Sequence, residues 1–519
     1  MSRKKNIWFA AGCVLIGLLA VFVRFYRLGQ IPYGIHIDEA GMGYDAWCIA
    51  NYGMDRYQNS YPLYFINFGQ GQNALYTYLY ALILKITGGV PDPFTMRLPA
   101  ALTGVLMVFC SMKLGEWAFG KGGCLTAGLL TAVCPVYIMS SRWALESYLM
   151  YGVCTFAVTC LVGAVRARRG WKKNLGFVCS GVLMGLSLYT YAMAYIVLPF
   201  FLLFALAYLL YLKKISLLQI VVMGIPIGIM AMPLILMLLI NNKGLGTVSI
   251  GCFTIPALPE YRGGDITFSH FLLSPIPMLK SMFFNDYLGY SAYDGFYTLY
   301  IISLPFALIG LVTCAVRSVR TLRERRFDVQ ALILCFFLAV MLMGRFINGA
   351  MANINQINAV FFPLWFFIMD GIWQIGSLIR KTTGIRLYYG GVAAAYLVSL
   401  VFFLNTYWVK EPVTFQMHFQ RGWDFIRENC EYKACYADYG GQKIYYLYDT
   451  APDPGQQIFT LDHQEYYGNV NCYVNQYTVI DPENVYIVQW SNEEWMDKLR
   501  GSNIGFEEKE FDGYTVFYK

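Results

Sequence analysis

Apolar residues run along most of this chain in unbroken blocks of about twenty, a length that spans the ~30 Å hydrocarbon core of a bilayer at a helical rise of 1.5 Å per residue. Blocks at 7–24, 97–115, 123–140, 147–165, 174–192, 195–212, 216–240, 296–316, 328–346, 356–376 and 387–406 predict eleven spanning helices. A twelfth run, 72–86, is short, tyrosine-rich and interrupted by Lys85, and is predicted to lie in the membrane interface. Ala46 to Tyr52 reads as a short helix beyond the first span. After residue 407 the pattern changes. His418 to Glu428 is amphipathic, and the runs Lys443–Tyr448 and Val485–Val488 read as strands. Helix followed by strands predicts a small α/β domain of roughly 100 residues.

Composition agrees with a polytopic, all-α membrane protein. The chain is 57% hydrophobic and 14% charged, against roughly 25% charged in soluble domains. A net charge of +7 would suit nucleic acid, but the basic residues sit in short clusters between apolar blocks, as in cytoplasmic loops. With run 72–86 left uninserted, Arg3-Lys4-Lys5, Lys121, 166–173, Lys213-Lys214, 317–326 and Arg380-Lys381-Arg386 all fall on the inner side. The outer side then receives loops 25–96 and 241–295 and the tail. The organisation is a transmembrane unit, 1–406, and an extracytoplasmic unit, 407–519. The N-terminal block lacks a small-residue cleavage site and reads as an uncleaved span. Of the three tail cysteines, Cys430, Cys435 and Cys472, the first two could bridge outside the cell or remain thiols.

Chemistry concentrates in the first outer loop, where His36 precedes the adjacent acids Asp38 and Glu39. Carboxylates at a lipid–water boundary are costly and usually have a task. Capping a surface helix is the plainer alternative, and an aromatic belt explains part of the aromatic content. Tyr44, Asp45, Asn73, Glu146 and Tyr191 add groups suited to hydroxyl-rich ligands. Outer cations are few: Lys85, Arg97, Arg142 and Arg345. Each could bind a phosphate or snorkel as a lipid anchor. Glu146, four residues after Arg142, could pair with it. His36 could carry a proton, ligate a metal or hydrogen-bond its loop. Asp370, in the inner half of the tenth span, reads as structural. No Cys/His metal spacing occurs.

The stretches IPYGIHIDEAGMGYDAW, YPLYFINFGQGQNALYTYL and MRLPAALTGV resemble the dolichyl-phosphate-mannose–protein mannosyltransferase-like proteins, in the bacterial branch that includes the aminoarabinose transferases of lipid A. SRWALES, GLSLYTYAMAYIVLP and NINQINAVFFPL extend the resemblance over roughly residues 1–410. It implies a GT-C membrane glycosyltransferase in a bacterial cell membrane. Such an enzyme moves a sugar from a polyprenyl phosphate to an envelope lipid, glycan or protein by one inverting displacement. Asp38 matches the family's acidic residue that acts on the acceptor, with Glu39 beside it. No cofactor is implied as required. The WWDxG motif of oligosaccharyltransferases is absent, which disfavours protein N-glycosylation. A transporter or flippase of lipid-linked sugars is the alternative, but such proteins place ionisable groups near the midplane and repeat their halves.

Overall fold

The computed structural model describes residues 3–67, 70–260, 280, 283–284, 296–346, 356–409, 415–438, 441–456, 458–459, 465–467, 470–471 and 478–519. Among them, nine helices are long and apolar enough to cross a membrane. The first is α1 (Arg3–Phe25). A juxtamembrane segment follows: α2 (Ile37–Tyr52), a hairpin of β1 (Tyr64–Asn67) and β2 (Gln70–Asn73), and α3 (Leu75–Thr87). At 13 residues, α3 is about 20 Å long, too short to span.

The next helix, α4 (Pro93–Val133), is two antiparallel arms joined at Phe119–Gly120. Gly120 has φ 68° and ψ −155°, a conformation that glycine adopts without a Cβ clash. The short α5 (Pro135–Met139) leads into α6 (Glu146–Arg166), α7 (Gly170–Ser187), α8 (Ala194–Tyr211) and α9 (Leu217–Asn242). Then come a hairpin, β3 (Val248–Ile250) and β4 (Phe253–Ile255), and helices α10 (Ser303–Arg323), α11 (Val329–Phe346), α12 (Phe361–Ser377) and α13 (Thr382–Val409). Counting both arms of α4 and the 18-residue α7, the bundle approximates the eleven helices expected.

Basic turns gather at one end of this bundle. Lys121 donates to Asn6 at 2.7 Å, and Arg166, Arg317 and Arg325 lie over Trp117, Phe119 and Tyr211. Inside it, Asp370 accepts from Gln330 and Gln374 at 2.8 and 3.1 Å, the structural role expected.

The opposite end carries the C-terminal sheet domain. It opens with α14 (Phe415–Asn429), β5 (Cys435–Ala437) and α15 (Gly441–Thr450). Strands β6 (Ile458–Phe459), β7 (Glu465–Tyr467), β8 (Val470–Asn471) and β9 (Val485–Gln489) follow, then α16 (Glu493–Arg500), β10 (Glu507–Phe511) and β11 (Tyr514–Tyr518). The mixed sheet has the order β10-β11-β9-β5-β8-β7-β6. Residues 443–448 are helical, not the strand expected, because Ile444, Leu447 and Tyr448 fall on one helical face and bury beside α2 residues in a shared core. Cys430 and Cys435 are not bridged to each other, and Cys472 lies outside the described residues. Most of loop 241–295 lies outside them too. Its described start carries β3–β4, joined to the first hairpin by Leu63 N–H donating to Thr254 O at 2.9 Å.

Candidate active site

The site is built around the start of α2. This helix begins nine residues before the expected one, and its cap is His36 rather than Asp38. The His36 Nδ1 accepts from the Asp38 N–H at 3.1 Å, and Glu39 Oε2 accepts from the His36 N–H at 3.0 Å. These reciprocal bonds form a capping box. A Nδ1 that accepts a hydrogen bond presents a lone pair. Its 3.5 Å approach to Asp38 Oδ2 is therefore not a salt bridge in this tautomer. The cap engages His36 locally, so neither a metal nor a proton-carrying role follows from it. Among the described residues, no group of three or more His, Cys, Asp or Glu side chains is arranged to hold a metal ion.

Adjacent positions give Asp38 and Glu39 opposite surroundings. Glu39 is fully buried and accepts from Arg97 Nε and Nη2, both at 3.1 Å, and from the Ala144 N–H at 2.5 Å. Its lone pairs are spent on structure, which corrects the expectation of a catalytic role. Arg97 also donates to the carbonyls of Leu28, Pro32 and Gly34 and lies 5.4 Å from the Trp143 ring. It is a staple, not a phosphate ligand. Asp38 instead has a side chain 41% exposed, and Asn67 Nδ2 donates to its Oδ1 at 3.1 Å. The start of a helix favours negative charge there.

The other expected phosphate ligands divide. Arg142 is fully buried and donates to the carbonyls of Val23, Arg24, Tyr26, Arg27 and Ile31 at 2.7–3.3 Å. It satisfies the C-terminal carbonyls of α1 with both terminal nitrogens, and its Nε is buried. Nor does it pair with Glu146. Lys85 is exposed and donates to Ala50 O at 3.0 Å, near the far end of α2. Twelve residues of helix put it about 18 Å along the axis from Asp38, too far for the role expected. Arg345 is half-buried at the end of α11, where the adjacent Phe346 stacks on Phe200 of α8 at 5.9 Å.

The expected acceptor-binding residues also sort by partner. Asp45 is buried in a two-bond pair with Arg56, at 3.0 and 2.7 Å. Tyr44 is buried and its hydroxyl donates to Pro452 O at 2.8 Å. Both are structural, contrary to expectation. Asn73 is buried: its amide oxygen faces the N–H groups of Tyr191 and Ala192 at 3.2 and 2.6 Å, and its nitrogen donates to the Tyr195 hydroxyl at 2.6 Å. It pins the hairpin to the turn before α8, so it too is structural. Glu146 opens α6, accepts from the Asn73 N–H and lies within electrostatic reach of Asp38. Glu146 and Tyr191, both partly exposed, remain able to meet a ligand.

The C-terminal domain closes the site from the other side. Both main-chain groups of Ile35, the residue before the cap, are held by that domain: Gln420 Oε1 accepts from its N–H at 2.8 Å, and the Tyr445 hydroxyl donates to its C=O at 3.1 Å. Sequence reasoning singled out neither this clamp nor Asn67. Asn67 stands in the stretch YPLYFINFGQGQNALYTYL, but nothing in that stretch marked which amide would reach an acid.

Behind the hairpin, Asp55 is buried beside Asp45, and burial, reinforced by the charge of Asp45, raises its carboxyl to about 7. An apolar groove of about 540 Å³ runs between α1, α4, α12 and α13, lined by Ile16, Leu129, Trp373 and Tyr396. Lys85 and Arg142 do not line it.

This helical bundle, with a juxtamembrane acidic site and a C-terminal sheet domain, has the GT-C fold. It is similar over its whole length to ArnT from Cupriavidus metallidurans bound to undecaprenyl phosphate, with a TM-score of 0.54 and 10% identity over 100% of this chain and 98% of that one. It is also similar to the archaeal oligosaccharyltransferase AglB from Archaeoglobus fulgidus in complex with an inhibitory peptide and a dolichol-phosphate. That match has a TM-score of 0.52 and 13% identity over 87% of this chain, and spans 64% of AglB. No family model and no curated relative matches the chain.

Proposed function

We propose that the chain transfers a sugar from a polyprenyl phosphate to an envelope acceptor, with Asp38 as general base and without a required cofactor. One observation carries this reading. Of the acids gathered around α2, Glu39, Asp45 and Asp55 are 0–1% exposed, whereas Asp38 is open and oriented. The lipids bound to ArnT and AglB support a polyprenyl phosphate as carrier. The basic turns at the opposite end support an extracytoplasmic site in a bacterial plasma membrane.

Asp38 takes the proton of the acceptor hydroxyl or amine as that atom attacks the anomeric carbon. The bond from that carbon to the phosphate oxygen breaks on the opposite face, which inverts the centre. The electron pair leaves with the polyprenyl phosphate, and Arg345 stabilises its charge. Glu146 and Tyr191 line the acceptor side.

The test is transfer in proteoliposomes from a panel of labelled polyprenyl-phosphate sugars to envelope extracts. Asp38→Asn is expected to lower turnover by about 10²–10⁴, and Arg345→Ala to raise the donor KM about tenfold. Wild-type rates in Asp38→Asn would remove the base assignment. Lipid-linked sugar crossing the bilayer without being consumed would favour a flippase.

A further inference from the structure

We propose that Asn67 is a positioning residue that fixes the rotamer of Asp38 and leaves one chosen carboxylate oxygen for the acceptor's proton. The proposal rests on Asp38 being the base. Asn67 is 8% exposed, at the end of β1, and faces opposite charges on its two sides. Its Nδ2 donates to Asp38 Oδ1 at 3.1 Å. Its buried Oδ1 turns the other way, toward the surface of α2 at Gly41.

Gly41 makes that arrangement possible. The point where a Cβ would stand on Gly41 lies 3.1 Å from Asn67 Oδ1 and 2.7 and 3.2 Å from Arg56 Nη2 and Nη1. The guanidinium and the amide oxygen thus share the hollow left by a missing side chain. Arg56 cannot move away, because Asp45 holds its Nε and Nη2. An amide has one accepting and one donating end. Asn67 Oδ1 accepts no hydrogen bond from the guanidinium, so Arg56 acts on the amide through its charge alone; that fixed cation on one side and the carboxylate on the other favour the orientation that turns the nitrogen to Asp38. The hairpin behind Asn67 is itself pinned by Asn73 and Thr254.

The consequence is an asymmetric Asp38. Oδ1 is occupied by Asn67. Oδ2 lies 3.5 Å from His36 Nδ1, which accepts the Asp38 N–H and so cannot donate to it. Oδ2 is therefore the oxygen that receives the proton. The charged and titratable groups around Asp38 are His36 on its own loop, Glu146 at the start of α6, and Arg56 with Asp45 behind Asn67.

The experiment measures kcat, donor KM and the pH profile of kcat/KM in the reconstituted full chain, for wild type, Asn67→Ala, Asn67→Asp and Asp38→Asn. Removing a donor to the ionised carboxylate disfavours its charged form, and a second carboxylate disfavours it further. Asn67→Ala should lower kcat about tenfold with donor KM within about twofold, and move the acid limb to higher pH by about one unit. Asn67→Asp should move it further. A purely structural role would lower thermal stability and leave the acid limb in place, which would overturn the proposal. If Asn67→Ala does not fold, the isosteric Asn67→Asp carries the same test. Inactive Asp38→Asn beside wild-type kcat and pH profile in the Asn67 variants would refute the positioning role alone. Wild-type activity in Asp38→Asn would refute the base reading beneath it.

Discussion

The two ends of the bundle carry the same kinds of charged residue and use them differently. At the basic end, Lys113 pairs with Glu116 and Arg320 with Glu324, all four side chains 38–78% exposed. At the other end Arg24, Arg97 and Arg142 are 0–1% exposed and donate chiefly to backbone carbonyls. An exposed pair exchanges water for a partner at little gain. A buried guanidinium must satisfy its donors or lose several kcal/mol. Scarcity of cations at that end is therefore poor grounds for assigning them to a ligand, because the protein needs most of them to close loop and helix ends away from water.

The largest test of this contrast is Arg97→Met. It strands Glu39 in a dry site, and loss of about 3–5 kcal/mol is expected, read as lost thermal stability in detergent. Glu39→Gln combined with Arg97→Met should recover part of it, since the uncompensated charge is gone. A lone Arg97→Met that melts like wild type would break the comparison.

Asp55 gives an intermediate effect. Its carboxyl is raised to about 7 from an unfolded value near ~3.9, so the folded state holds the extra proton between those values. Stability from this group is present at low pH and is lost as pH rises from about 4 to 7. Asp55→Asn should flatten the decline in melting temperature over that window, and an unchanged slope would place the buried charge elsewhere.

The smallest effect belongs to the basic end. Lys113→Ala should change stability by less than ~0.5 kcal/mol, and a shift as large as that of Arg97→Met would erase the distinction between the ends.

Even the reach of each cation was hidden in the sequence. Arg142 stands in a motif that invites a functional role, yet its five acceptors lie 111–119 residues earlier in the chain. Lys85 fell in the expected interfacial element, but the direction of α2 carried it away from the acid. Helix α2 itself was only half legible, because Ala-Gly-Met-Gly is a weak helical pattern and the capping residue was a histidine. The run at 443–448 shows the same limit: its apolar residues suit a strand until α2 supplies a surface that selects the helical face.

The sequence by itself determined the bundle, the presence of a sheet domain after it and the shortness of α3. Blocks of twenty apolar residues have one stable form in lipid, a helix that satisfies its own backbone, and this requires no knowledge of neighbours. Tertiary structure decided which of two adjacent carboxylates is open, which arginines are staples and which amide faces Asp38. Those outcomes depend on desolvation and on partners brought from distant parts of the chain, such as Arg97 for Glu39 and Asn67 for Asp38. A side chain's chemistry is fixed by its residue type, but its availability is fixed by what the fold packs against it.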